Sequence, residues 1–179
     1  MFIGLVGKNG AGKTSVAEYL VSKGFSFYSL SDIVREEATK NNLALSRENL
    51  IVTGNELKKK IGEAVLAKRT WEKASLENEP LLVFDSIRNV AEIDYLKAKG
   101  VKIIGVDAPI ELRYKRIQER KRDSDHLDFV TFVKLEEYES NGKSFGQNLN
   151  ETFKKADFIL ENNSTLDDLH QEIDQLLRG

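Results

Sequence analysis

Gly7-Lys8-Asn9-Gly10-Ala11-Gly12-Lys13-Thr14 follows the apolar run Phe2 to Val6 and leads straight into the helix-like segment Thr14 to Lys23. Strand, glycine-rich loop and helix in that order are the setting in which G-x-x-x-x-G-K-[ST] wraps a phosphate. The glycines leave the backbone open, so that N–H groups from Asn9, Gly10, Ala11, Gly12, Lys13, Thr14 and Ser15 can turn inward at the positive end of the following helix. Lys13 is then expected to reach the terminal phosphates, and the Thr14 hydroxyl to meet Mg²⁺. The bland alternative is a turn that joins a strand to a helix and binds nothing, and the flanking segments argue against it. The expectation is a nucleoside triphosphate, ATP, with Mg²⁺.

A length of 179 residues suits one ordinary domain, which buries roughly 70% of its unfolded surface. The chain has no cysteine, which excludes thiol catalysis, thiolate zinc sites and disulfides and fits the cytoplasm better than secretion. Its two histidines, His126 and His170, are far apart and read as surface residues. A net charge of −2 gives no general attraction to nucleic acid or to an anionic membrane. Met1 to Gly4 reads as core strand, with no signal peptide, and no apolar run approaches ~20 residues. The expected partner is a small molecule, with neither nucleic acid nor membrane, and the chain is expected to be a monomer or homodimer.

Further along, Phe25 to Tyr28 is strand-like, and Ser29 to Asp32 offers capping side chains for a helix over Ile33 to Lys40 with Arg35 in its first turn. Ser46 caps another helix, whose Leu50, Gly54, Leu57 and Ile61 share a face, and the segment Gly62 to Glu77 reads as a helical continuation. Residues 30–78 are thus a helical excursion between strands, where a second substrate would be held. Leu81 to Phe84 is an uninterrupted apolar strand ending in Asp85. A helix over 89–99, a strand Val101 to Val106, and a helix opened by Pro109 follow. Arg113, Arg116 and Arg120 share one face of that helix, with Lys121 and Arg122 beyond. Asp128 to Ser140 reads as a helix, Gly142 to Gly146 as a joint, Leu149 to Lys155 as a short helix, and Asp157 to Leu160 as the last strand. Leu166, Leu169, Ile173, Leu176 and Leu177 mark a closing helix. The pattern predicts an α/β P-loop NTPase fold: a three-layer α/β/α sandwich around a five-stranded parallel sheet, with ligands at the carboxyl ends of the strands.

Three further stretches narrow the class. Ser29-Leu30-Ser31-Asp32-Ile33-Val34-Arg35 resembles the S-x-G-D-x-x-R of adenylate kinases. Asp85-Ser86-Ile87-Arg88 with Glu92 resembles that family's D-G-x-P-R and base-reading glutamine, one residue shorter and without the proline. Val106 to Pro109, followed by Arg116 and Arg120, resembles the strand and helix leading into the family's lid. The turn around Asn162 is similar to one near the adenine in nucleoside monophosphate and dephospho-coenzyme A kinases. With the phosphate loop, the resemblance covers residues 2–122 and 156–162. It implies a single P-loop kinase domain over 1–179, with an acceptor-binding region at about 30–78 and a lid at about 113–146. It also implies that Arg116 and Asn162 bind the donor nucleotide, that Asp32, Arg35, Arg88 and Glu92 bind the acceptor, and that Lys13, Asp85, Arg116 and Arg120 serve catalysis, with Thr14 and Asp85 at Mg²⁺.

The chemistry of phosphoryl transfer agrees: it needs two phosphates in line, water excluded and positive charge around the moving group. Competing readings stay open at this stage. Asp85 could cap the next helix, Arg35 could pair with Glu36 or Glu37, Glu92 could serve the dipole of its own helix, and the arginines at 113, 116 and 120 could be a solvated face balanced by Glu111 and Glu119. One departure from the resemblance matters: no arginine stands between Arg122 and Arg178, where adenylate kinases carry a second pair. The expected function is transfer of the ATP γ-phosphate to a small phosphorylated acceptor, foremost a nucleoside or deoxynucleoside monophosphate. Dephospho-coenzyme A or another metabolite is the nearest alternative. A degenerate kinase acting as a nucleotide-gated binding or regulatory module is the alternative from another class.

Overall fold

The computed structural model describes residues 1–120, 128–140 and 148–178. Its elements run β1 (Phe2–Val6), α1 (Lys13–Ser22), β2 (Ser26–Ser29), α2 (Leu30–Lys40), α3 (Arg47–Ile61), α4 (Val65–Glu77), β3 (Leu82–Asp85), α5 (Val90–Ala98), β4 (Lys102–Asp107), α6 (Ile110–Glu119), α7 (Phe129–Ser140), α8 (Leu149–Lys154), β5 (Phe158–Glu161) and α9 (Leu166–Arg178). The five strands are all parallel in the order β2-β3-β1-β4-β5. Register pairs Phe2 with Leu82 on one side of β1 and Ile3 with Lys102 on the other.

Each face of the sheet is closed by helices, which is why β1, β3 and β4 read as continuous apolar runs. On one face Phe84, Ile103 and Val6 pack with Leu30, Val34, Leu57, Leu66, Ile93 and Leu96 of α2 to α5. On the other, Ile3, Leu5, Val83 and Ile104 pack with Val16 and Leu20 of α1 and Leu169 and Ile173 of α9. Trp71 stacks over Phe84 and meets Phe2 edge-on, tying α4 to two neighbouring strands.

Two local expectations change. Helix α2 begins at Leu30, so Arg35 sits in its second turn, and Ser29 does not cap the helix through its side chain. The helical excursion is broken at Gly62, whose φ of 125° is left-handed; Ile61 is left exposed there, whereas Leu57 is buried as expected. Lys121, Arg122, His126 and the joint at 142–146 lie outside the described residues, as does much of the expected lid.

Candidate functional site

At the carboxyl end of β1 the loop before α1 borders a cavity of about 380 Å³. The cavity brings together Lys13, Thr14 and Asp85 with Arg116 and Arg120 of the α6 end and Asn162 just after β5. Asn9, Gly10, Gly12 and Ser15 also line it, whereas Ala11 is fully buried behind them. Residues more than a hundred positions apart converge here because β1, β3, β4 and β5 all deliver their carboxyl ends to one edge of the sheet.

Gly12 has φ 106°, and a Cβ on it would lie 2.0 Å from Asn162 Nδ2. Only glycine allows both the left-handed turn and this approach. The buried Asn162 in turn joins three elements. Its Nδ2 donates to Ala11 O at 2.9 Å, its Oδ1 accepts from Arg116 Nη2 at 3.1 Å, and its backbone N donates to Asp107 O at 2.8 Å. Arg116 therefore points inward, away from the solvated face that Glu119 would balance. Its Nη1 is buried with no protein partner, and burial lowers its pKa while Glu119 opposes.

Lys13 donates to Gly7 O at 2.7 Å and to Lys8 O at 3.1 Å, so its ammonium sits across the mouth of the loop. Burial pulls its pKa down to about 8; Asp85 opposes this, and Arg88, Arg120 and Arg113 add to it. Asp85 ends β3, and its Oδ1 is buried without a protein partner. It is no helix cap, because the N-cap of α5 is Asn89. A buried carboxylate oxygen left open in the same cavity as the Thr14 hydroxyl fits Mg²⁺, which takes one or two protein oxygens and completes its shell with water and phosphate. No cluster of three or more acidic or histidine ligands exists among the described residues.

Arg113 belongs to the scaffold. It is 3% exposed, donates through Nε to Ala108 O at 2.9 Å and forms a two-pronged pair with Glu136 of α7. Lys8 reaches the same carboxylate at 3.1 Å, so α7 is fastened to the phosphate loop from below. The two cations hold the Glu136 carboxyl below the usual carboxylate range, against the opposing effect of burial.

Within α2, Arg35 donates to Ser31 Oγ at 2.6 Å and to Asp32 at 2.9 Å. Its partner is not Glu36 or Glu37, which pair with Lys73 and Arg69. Ser31 continues to Ser29 at 2.8 Å and Ser29 to Ser86 at 3.0 Å, a run of hydroxyls ending next to Asp85. Ser86 has φ 63° where the resembled motif has glycine, a strained position for a residue with a Cβ. Ser29 and Ser86 stand within the two resembled motifs without an expected role, and the mismatch of Ser86 with that glycine is what marks its position in the sequence.

Glu92 is a correction. Its carboxylate is 1% exposed and closes a capping box, accepting from Asn89 N at 3.2 Å and also from Arg88 N at 2.8 Å, while Asn89 Oδ1 accepts from Glu92 N at 2.9 Å. Lys58 of α3 lies 3.8 Å from its other oxygen. One oxygen is held by its own helix start, the other is buried without a hydrogen-bond partner, and the side chain does not line the cavity, which is not the placement expected of a base-reading residue.

A five-stranded parallel sheet with this loop and these helices is the fold of P-loop kinases. Solved structures share it: shikimate kinase from Acinetobacter baumannii in complex with shikimate (TM-score 0.59, 19% identity, 98% of this chain and 91% of that one) and TT1252 from Thermus thermophilus (0.65, 23%, 99% and 96%). The chain belongs to the AAA domain family, which matches residues 3–131, and to the UPF0200 proteins. The UPF0200 protein of Sulfurisphaera tokodaii is 31% identical over 98% of this chain and 95% of its own length, and that of Thermococcus gammatolerans 30% over 100% and 97%. A UPF0200/UPF0201 protein of Archaeoglobus fulgidus is 34% identical over 98% of this chain, which spans about half (54%) of that relative. Among the described residues no helix is long and apolar enough to cross a membrane.

Proposed function

We propose that the protein transfers the γ-phosphate of ATP to a small phosphorylated acceptor, a nucleoside monophosphate foremost. The observation that carries this reading is the convergence of Lys13, Thr14, Asp85, Arg116 and Arg120 on one cavity. In the transfer the bond from the γ-phosphorus to the β–γ bridging oxygen breaks and a bond to an acceptor phosphate oxygen forms. That oxygen is already ionised, so the step needs no general base, only alignment and charge. Mg²⁺, when bound, neutralises charge on the β- and γ-phosphates. Thr14 and Asp85 would hold it. Lys13 would follow the migrating phosphoryl group, and Arg116 and Arg120 would steady the donor, Arg116 with its open Nη1. Arg88 and Arg35, with Asp32 fixing Arg35, would hold the acceptor phosphate.

A second reading has its own support. Arg113 is committed to Glu136, Arg35 to Asp32, and one Arg116 nitrogen to Asn162. Such prior engagement suits a nucleotide-gated binding module that turns over slowly or not at all. Measuring ADP release with AMP, CMP, GMP, UMP, dTMP and dephospho-coenzyme A separates the two. Acceptor-stimulated release is expected; ATP binding with no acceptor dependence across that panel would overturn the kinase reading in favour of the module.

A further inference from the structure

A second, larger cavity of about 630 Å³ lies on the opposite flank of the phosphate loop, between Lys8, Asp107 at the end of β4, and α8. Its floor is Phe153, whose ring lies so close to β4 that a Cβ on Gly105 would be 2.8 Å from it. Two contacts connect this cavity to the reacting groups. Lys13 donates to the carbonyl of Lys8 at 3.1 Å, and the backbone N of Asn148, which lines the cavity, donates to the carbonyl of Arg88 at 3.1 Å. Two residues of its lining are thus bonded through the main chain to the neighbourhood of the reacting groups, Lys8 to Lys13 and Asn148 to Arg88.

The described lining offers hydroxyl-binding groups in place of free cations. No arginine lines it among the described residues, and both its lysines already face carboxylates: Lys8 with Glu136 at 3.1 Å and Lys154 with Glu151 at 2.7 Å. What it offers is two amides, Asn148 and Asn150, and two carboxylates, Asp107 and Glu151, beside an aromatic floor. Carboxylates accept from hydroxyls, and amides both donate and accept, which is the donor set for a neutral, hydroxyl-rich group. An acidic side chain bonded to ribose hydroxyls is the same solution used for dinucleotides.

We propose that this cavity holds the sugar end of the acceptor, with the acceptor's phosphate turned toward Arg88. The inference rests on the phosphotransferase reading and names its acceptor class: a phosphorylated sugar or nucleotide whose sugar lies against α8, and not within the helical excursion of α2 to α4. That excursion supplies Arg35 and the wall behind it.

The test is amide shift mapping on ¹⁵N-labelled full-length chain with the donor site filled by Mg²⁺ and a non-hydrolysable ATP analogue. Ribose 5-phosphate and AMP are expected to shift the amides of 149–154, whereas inorganic phosphate alone shifts Arg88 and the Asn148 amide bonded to its carbonyl and leaves 149–154 still. Asn150→Ala and Asn150→Trp should weaken ribose 5-phosphate by about tenfold or more, the loss of one or more sugar hydrogen bonds, while leaving affinity for the ATP analogue and for inorganic phosphate unchanged. Shifts confined to 30–61, no sugar-dependent shift at millimolar probe, or unchanged affinity in both variants would each overturn the proposal. Sugar binding at 149–154 without acceptor-stimulated ADP release would remove the kinase reading and leave the sugar site standing. Turnover with 149–154 silent would do the reverse.

Discussion

Lys13 carries an ammonium whose pKa, near 8, is set first by burial and only partly restored by Asp85. Its folded pKa lies below the unfolded one, so the charged form is disfavoured in the fold, and this side chain's contribution to stability rises as pH increases from about 8 toward 10.5. A bound triphosphate reverses the preference. ATP binding is expected to take up a proton near pH 8 and to weaken at higher pH, measurable by calorimetry at pH 7 and 9 in buffers of different ionisation heat. Lys13→Ala should lower turnover by about 10²-fold or more, because it removes a fixed charge from the transferring group; full turnover in the purified variant would end the phosphate-loop assignment. Asn162 is the other decisive residue. Asn162→Ala leaves the Ala11 carbonyl without its donor and Arg116 without its anchor, and should cost about 1–3 kcal/mol in urea unfolding together with ATP affinity. The donor role expected for Asn162 came by resemblance, but its bond to the phosphate loop left no trace in the sequence, since nothing local to Asn162 marks a partner 151 positions away. The partner of Arg35 was missed for a different reason: Glu36 and Glu37 are its neighbours in sequence, but α4 draws both away through Lys73 and Arg69.

Among the elements, α5 is set by its start. Asn89 and Glu92 bond reciprocally, and Asn89 Nδ2 also donates to Glu63 O at 3.2 Å, which ties the linker between α3 and α4 to the helix that follows Arg88. Asn89→Ala should cost about 1 kcal/mol from the cap alone. Glu92 is buried, and burial raises its pKa against the pull of Lys58 and the backbone donors of Arg88 and Asn89. A carboxyl with a raised folded pKa loses stability as pH climbs from the unfolded value through the folded one. Glutamine keeps the capping geometry without that charge. Glu92→Gln should therefore gain on wild type as pH rises above the ordinary carboxyl range, read as the difference in Tm, and a constant difference would show that folding leaves the pKa of this carboxyl unchanged. The helices themselves were legible where spacing and caps agreed: Ser46 accepts from Asn49 N at 3.3 Å as its position suggested. The break at Gly62 was not, because the apolar spacing on either side runs in near phase and only the left-handed φ separates α3 from α4.

At the scale of the whole molecule, the sheet could be read from alternation: three apolar runs and two short strand-like segments, each followed by a helix, admit few arrangements once crossovers are right-handed. Strand order within the sheet rests on pairings that periodicity does not encode, and the cavity against α8 needed Gly105 and Phe153 brought together across the sheet. Saturating Mg²⁺ and ATP should raise Tm by mass action, about 2.7 kcal/mol at a hundredfold excess over Kd, and Lys13→Ala should remove most of that shift. The strut from Asn162 to the phosphate loop also governs when the site can exist. The loop is made 151 positions ahead of the asparagine that holds it, which follows the last strand. A chain emerging from its amino terminus thus displays the loop sequence long before it can grip a phosphate, and the contact that completes the grip is among the most distant in the chain and slow to form. Nucleotide binding is in this sense a final inspection of the finished fold: a chain stalled before β5 carries the motif intact and is expected to hold nucleotide weakly.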